Sequence, residues 1–98
     1  MKLSITGPEA VDLAVHTINT TIYGTGGANV LARVLLHAYN AAEQPLNISD
    51  LCTLDSEKEE WAWAILKLRV DGVEPNTIAS DQAAFQRIVD KYWIEPST

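Results

Sequence analysis

The chain has few of the residues from which most catalytic, metal-binding and nucleic-acid-binding sites are built. It has one cysteine, two histidines and only seven lysines and arginines, which are scattered. A lone Cys52 cannot form an intramolecular disulfide, so we expect a reducing, cytoplasmic setting. Thirteen acidic residues give a formal net charge of −6. That charge argues against direct binding to nucleic-acid phosphates, because such binding needs clustered Lys and Arg.

Long apolar runs are also missing, and we expect no secretion signal, because the first residues show neither an apolar run nor a cleavage site. No apolar stretch approaches the roughly 20 residues of a membrane-spanning helix, so we expect no membrane association. Hydrophobic residues make up 47% of the chain and charged residues 20%, a balance typical of a globular protein. The length fits one domain, residues 1–98, that folds without a metal, cofactor or disulfide.

The segment from Asp55 to Asp71 is the strongest predicted helix and the expected centre of the fold. Ser56 with Glu59 is typical of a capping box, and Gly72 stands where a left-handed C-cap forms most easily. Apolar residues lie on two opposite sides, so this helix needs neighbours on both. The first strip is Trp61, Ala64, Ile65 and Leu68, and the second is Trp63, Leu66 and Val70.

Three other main helices and one short connecting helix complete the predicted fold, an all-α, compact four-helix bundle. A capping box at Thr6 and Glu9 starts the first helix, and Ser80 caps the last, which Pro96 ends. The second runs roughly from Ala28 to Glu43. The short helix lies between Leu46 and Leu54, capped by Asn47 or Ser49 and anchored by Leu51. The predicted core stripes are Val11, Ala14, Val15, Ile18 and Ile22; Leu31, Val34, Leu35, Ala38 and Ala42; and Phe85, Ile88, Val89 and Tyr92.

Several residue types that often carry chemistry have simpler structural interpretations here. Gly24 to Gly27 before a helix could form an anion-binding nest, but the spacing matches no phosphate-binding motif, and an inter-helix turn is favoured. His16 and His37 lie on different helices and suggest no metal site. Arg33 and His37 are expected on a solvated face, and Cys52 is expected to be a small buried apolar residue.

The densest acidic run is the most prominent candidate contact surface. It consists of Asp50, Asp55, Glu57, Glu59 and Glu60. These carboxylates either imitate nucleic-acid phosphates towards a basic protein or serve only as caps and dipole partners at one helix start. The second interpretation is favoured.

Two apolar side chains are candidate contacts of a different kind. Leu36 falls among polar positions and is expected to be exposed. Trp63 lies opposite Trp61, so another helix, a second copy of the chain or a partner must cover it.

A set of short motifs runs through the chain after Gly26. They are Tyr39-Asn40-Ala41, Asp50-Leu51, Asp55, Phe85, Val89, Trp93 and Pro96, in this order. In these motifs the chain resembles a family of small uncharacterised bacterial domains carried on plasmids, phages and integrative elements. It departs from them at Tyr39, where an aromatic pair is usual, and throughout the N-terminal helix. The resemblance implies an accessory protein of a mobile element and brings no known activity, so no catalytic residue is carried over.

We therefore expect a non-enzymatic module that binds a host protein or protein complex. By analogy, a small acidic product of a mobile element suits an inhibitor of a nucleic-acid-handling defence complex, such as a CRISPR effector, whose basic groove it would occupy. One alternative is a homodimer joined through Leu36 and Trp63. Another is a helix-turn-helix regulator built from the short helix and the central helix, although glutamates on the exposed face of that helix would repel phosphates.

Overall fold

The computed structural model describes residues 4–21 and 26–95, which form helices and contain no strand. The fold prediction is confirmed: four main helices pack together, with a short 3₁₀ helix between the second and third. A further short helix, α4, follows Gly72. The elements are α1 (Gly7–Thr20), α2 (Gly26–Tyr39), the 3₁₀ helix (Ile48–Thr53), α3 (Ser56–Val70), α4 (Pro75–Ile78) and α5 (Gln82–Tyr92).

Helix α3 shares the predicted central position with α1 and α2, both of which also pack against α5. It packs against α1 and α2 and also contacts α4 and the 3₁₀ helix. Trp61, Ala64 and Ile65 are buried, together with Ala62, which the predicted strip omits. On the second strip Trp63 and Leu66 are half-buried against the core, whereas Val70 is 79% exposed. The apolar second side is therefore covered only along the first part of the helix.

At the ends of α3, the predicted N-cap is wrong and the predicted C-cap is correct. Asp55, rather than Ser56, is the N-cap, and its carboxylate accepts from the Lys58 N–H at 2.9 Å. Ser56 is already inside the helix, so the predicted capping box with Glu59 does not form there. Gly72 has a φ of 79° and ends the helix in the left-handed conformation that glycine adopts without strain.

Helix α1 begins as the sequence predicts. The Thr6 hydroxyl accepts from the Glu9 N–H at 3.3 Å and donates to the Glu9 carboxylate at 2.9 Å. Pro8 lies in the first turn, where a missing N–H costs nothing. Val11, Ala14, Val15 and Ile18 are buried, whereas Ile22 of the predicted stripe lies outside the described residues.

Helix α2 is shorter than predicted and starts earlier. It begins at Gly26 and ends at Tyr39, after which residues 41–44 form a turn. Ala42 is therefore exposed instead of buried. The turn directs the Gln44 side chain inward, where it is fully buried. The rest of the stripe, Leu31, Val34, Leu35 and Ala38, is buried as predicted.

Helix α5 also has a different cap from the one predicted. Asp81 caps it by accepting from the Ala84 N–H at 2.9 Å. Ser80 instead binds Asp12 of α1 through its N–H at 2.9 Å and its hydroxyl at 2.6 Å. The predicted stripe is buried at Phe85 and Ile88 and half-buried at Val89 and Tyr92. Pro96 lies outside the described residues.

Candidate functional site

Residues 48–60 form the strongest candidate contact surface. The 3₁₀ helix leads through Leu54 and Asp55 into α3 and contacts both α2 and α3. The N-cap Asn47, which accepts from the Ser49 N–H at 3.0 Å, and the buried side chain of Leu51 fix this helix, as the sequence predicts. The segment carries five carboxylates and one lysine, a net charge of −4 out of −6 for the whole chain. We call the exposed side chains of Ile48, Asp50, Asp55 and Glu57 the acidic surface.

Asp55 has a structural role within this surface. Its carboxylate accepts from the Lys58 N–H, and its other oxygen lies 2.9 Å from the Lys58 ammonium. The hydrogen bond from that backbone N–H and then the one from the ammonium lower the pKa of Asp55 below its ordinary value. Lys58 also lies over the Trp61 ring, 5.8 Å from its centroid. Asp55 is therefore held in place by the start of the helix that it caps.

Glu60 and Glu59 are less available than the sequence suggests. The Glu60 carboxylate accepts from the Ser4 N–H at 2.9 Å and also from the Ser4 hydroxyl, which ties the segment before α1 to α3. Glu59 is half-buried, and its N–H donates to the Asp55 carbonyl oxygen at 2.8 Å. Asp50 and Glu57 are exposed, and within residues 4–21 and 26–95 neither carboxylate forms a hydrogen bond or ion pair. These two carboxylates are therefore accessible and unpaired within the described residues.

Leu36 is not part of any contact surface. Its side chain is 0% exposed, so the prediction that it is an exposed apolar contact is wrong. The sequence places it among polar positions, but this side of α2 is not simply solvated, since Arg33 there binds Gln44 and the Tyr92 carbonyl. The homodimer predicted through Leu36 and Trp63 therefore keeps only Trp63 as a contact.

The sequence leaves open whether another helix, a second copy of the chain or a partner covers Trp63. Trp63 is half-buried against the core. Its indole N–H is inaccessible to solvent, and no described residue accepts a hydrogen bond from it. The ring is thus covered in part by its own bundle, and its polar edge contributes no hydrogen bond among the described residues.

The side of α2 predicted to be solvated carries a polar network instead. Gln44 accepts from Arg33 at 3.1 Å and from the Ile94 N–H at 2.9 Å, and it donates to the Ile94 carbonyl at 2.8 Å. Arg33 also donates to the Tyr92 carbonyl, and its partial burial lowers its pKa. His37 Nδ1 lies 2.8 Å from the Gln44 carbonyl oxygen. Gln44 was not recognised as important from sequence, because its partners are far away in the chain.

A polar groove between α1 and α5 is a second feature that the sequence did not indicate. Asn19 donates to carbonyl oxygens of both helices, at 2.9 Å to Val15 and 3.2 Å to Ala84. Its own oxygen accepts from Arg87 Nε at 3.1 Å. The groove has a volume of about 420 Å³ and is also lined by His16 and Asp12. Asp12 is already bound to Ser80. The polar side chains of this groove therefore chiefly hold the two helices together.

The remaining candidate residues are placed as follows. Cys52 is exposed, so the prediction of a buried thiol is wrong; the 3₁₀ helix turns Leu51, not Cys52, towards the core. No cluster of His, Cys, Asp and Glu suited to a metal ion occurs in the part of the chain that the structure describes. In the glycine-rich turn from Gly24 to Gly27, residues 24 and 25 lie outside the residues that the structure describes. None of the helices described is long and apolar enough to cross a membrane.

A known family model matches most of the chain. The model of a family of unknown function (DUF7673) matches residues 14–93, a range that includes α2, the 3₁₀ helix, α3, α4 and α5 in full. No curated protein and no solved structure matches the chain. The matched range covers all but residues 1–13 and 94–98, so the chain belongs to this family of unknown function, DUF7673.

Proposed function

We propose that the chain is a non-enzymatic binding module whose acidic surface contacts a basic surface of a partner protein. The observation that supports this most directly is the state of Asp50 and Glu57, which are exposed and have no cation partner among the described residues. Every other carboxylate of the segment except Glu59 has a side-chain partner within the fold. Unpaired carboxylates on a surface attract basic partners over several ångströms.

An apolar contact accompanies these charges. Ile48 is 58% exposed on the same 3₁₀ helix as Asp50. Specific interfaces combine an apolar centre with a charged rim, so an exposed isoleucine beside free carboxylates suits a protein surface better than a bare phosphate-like charge. The helix is held by its N-cap and by Leu51, so it presents these side chains without reordering.

The partner class that fits best is a nucleic-acid-handling complex of the bacterial host. Such complexes have basic grooves that bind phosphates, and closely spaced carboxylates can occupy a groove of that kind in place of nucleic acid. The resemblance to domains carried on mobile elements agrees with an inhibitor of a host defence complex, such as a CRISPR effector. The chain would then act by competition for the groove, with no bond made or broken.

Capture from a lysate of the bacterial host tests this proposal. The full chain is immobilised, and the retained proteins are identified. We expect a nucleic-acid-binding complex that is released by duplex DNA and by raising the salt from about 0.05 M to about 0.5 M, because screening shortens the range of the attraction. Retention that withstands both treatments would overturn the proposal.

A matched pair of variants makes the capture specific to the acidic surface. Asp50→Asn with Glu57→Gln removes two charges without touching a cap, and we expect retention to fall about tenfold. Glu43→Gln with Glu74→Gln removes the same charge elsewhere and should retain the partner as the wild type does. Equal losses in the two double variants would show that only net charge matters.

A further inference from the structure

A second groove lies at the C-terminal end of α5. It contains aromatic side chains, which the acidic surface lacks. It is lined by Tyr39, Val89, Asp90, Trp93 and Glu95 and has a volume of about 430 Å³. Of its described lining residues, two are aromatic and two carry carboxylates, and none carries a positive charge. We call it the aromatic groove. It shares no residue with the acidic surface.

The aromatic rings are held in place by their contacts within the fold. The Tyr39 ring meets Phe85 edge-on, with centroids 6.1 Å apart and planes at 86°. It meets Trp93 at the same distance with planes at 64°. The backbone after Trp93 is fixed because the Gln44 amide binds both the N–H and the carbonyl of Ile94. The two ring surfaces are therefore organised before any ligand arrives.

The carboxylates of the groove remain open to a cation. One oxygen of Asp90 accepts from Gln86 at 2.9 Å, which orients the carboxylate and leaves the other oxygen free. Glu95 is exposed, and within the described ranges it takes part in no ion pair. The nearby Lys91 lies over the Tyr92 ring, 5.3 Å from its centroid. Thus neither carboxylate is neutralised by a described basic residue.

We propose that the aromatic groove binds an arginine side chain presented by a partner protein. Aromatic faces attract cations through the ring quadrupole, and a planar guanidinium both stacks on a ring and forms paired hydrogen bonds with a carboxylate. Tyr39 and Trp93 supply the faces, and Asp90 and Glu95 supply the acceptors. Lysine offers a compact charge without the planar surface, so arginine is the better fit. This site goes beyond the acidic surface and is independent of it.

Titration of the isotope-labelled full chain, followed by NMR, tests the proposal directly. The probe is a blocked Gly-Arg-Gly tripeptide, and the comparisons are the same peptide with lysine, the same peptide with neutral citrulline, and free choline. We expect saturable shifts of the Trp93 indole N–H and of the backbone at residues 90 and 95, with a Kd on the order of millimolar. The arginine peptide should bind most tightly, and citrulline should not bind.

Two variants assign the binding to the groove. Asp90→Asn with Glu95→Gln should weaken the arginine peptide about fivefold, because two exposed charge pairs are lost. Glu43→Gln with Glu74→Gln should leave its Kd unchanged. Trp93→Phe, which keeps an aromatic ring, should also weaken binding while identifying the Trp93 indole signal.

Four results would overturn the proposal. They are no saturation by the arginine peptide, equal shifts with citrulline, tighter binding of choline, and shifts confined to residues 48–60. None of them bears on capture by the acidic surface, because the titration uses no partner from a lysate. Conversely, loss of that capture would leave the peptide titration unaffected.

Discussion

The acidic surface and the aromatic groove both present carboxylates, but they are built in different ways. In the acidic surface the shape is set within one short stretch, by Asn47 capping the 3₁₀ helix and Asp55 capping α3. In the aromatic groove, Tyr39 and Trp93 come from opposite halves of the chain and are brought together by Gln44. Local capping therefore forms one surface, and a long-range polar contact forms the other.

The two surfaces should therefore respond differently to substitution. A change in the core should lower stability without altering the exposed carboxylates. A change at Gln44 should disturb the groove and leave the acidic surface intact. A change at Asp55 should act locally and depend on pH.

The largest effect is expected from Leu36→Ala. Leu36 is fully buried, so removal of its side chain should lower the free energy of unfolding by about 3 kcal/mol through lost burial and a cavity. Urea unfolding measures this. Leu13→Ala is the matched control, because Leu13 is 40% exposed on α1, and we expect a loss of at most about 1 kcal/mol. A negligible loss for Leu36→Ala, with reduced partner capture, would return Leu36 to the contact surface.

A smaller effect is expected from Gln44→Ala. The variant leaves the Ile94 N–H and one of the two bonded Arg33 nitrogens, Nη1, without an acceptor, so we expect a loss of about 2 kcal/mol in urea unfolding. NMR signals of Trp93 and Ile94 should move, whereas those of Asp50 and Glu57 should stay. Gln82→Ala, at an exposed glutamine that donates to two carbonyl oxygens, serves as the control. Unmoved Trp93 signals would show that Gln44 does not position the groove.

The sequence predicts the acidic surface better than the groove, and these contacts explain the difference. Caps, dipole partners and the anchor Leu51 depend on residues within about one helical turn. Such local relationships can be read from the sequence, although the sequence predicts the N-cap of α3 at Ser56, one residue after the observed cap Asp55. Gln44 is invisible to periodicity because its acceptor and donor partners at Ile94 are distant in the chain.

The sequence wrongly predicts an exposed Leu36 and a buried Cys52 for a related reason. A helical wheel assigns one face to solvent, but it does not show what a later segment covers. On the polar face of α2, Arg33 binds Gln44 of the following turn and the Tyr92 carbonyl at the end of α5. Periodicity over a six-residue 3₁₀ helix is too short to decide whether Leu51 or Cys52 points inward.

The smallest effect is expected from acid. The hydrogen bonds from Lys58 lower the pKa of Asp55 below its ordinary value of 3.8. The charged carboxylate thus stabilises the fold above that value, and the contribution is lost as the pH falls through the lowered pKa. Asp55→Asn keeps a capping oxygen at every pH. Its thermal midpoint should therefore fall less between about pH 5 and about pH 2 than that of the wild type, and equal falls would contradict the role assigned to Asp55.

Displacement of labelled DNA from the captured complex tests the central claim most directly. The complex is titrated with the wild-type chain and with the Asp50→Asn, Glu57→Gln double variant at low salt. If the acidic surface occupies the basic groove, the wild type releases the DNA and the variant needs about ten times the concentration, as expected for two lost charge contacts. Equal potency of the two proteins, or no release by either, would contradict the claim.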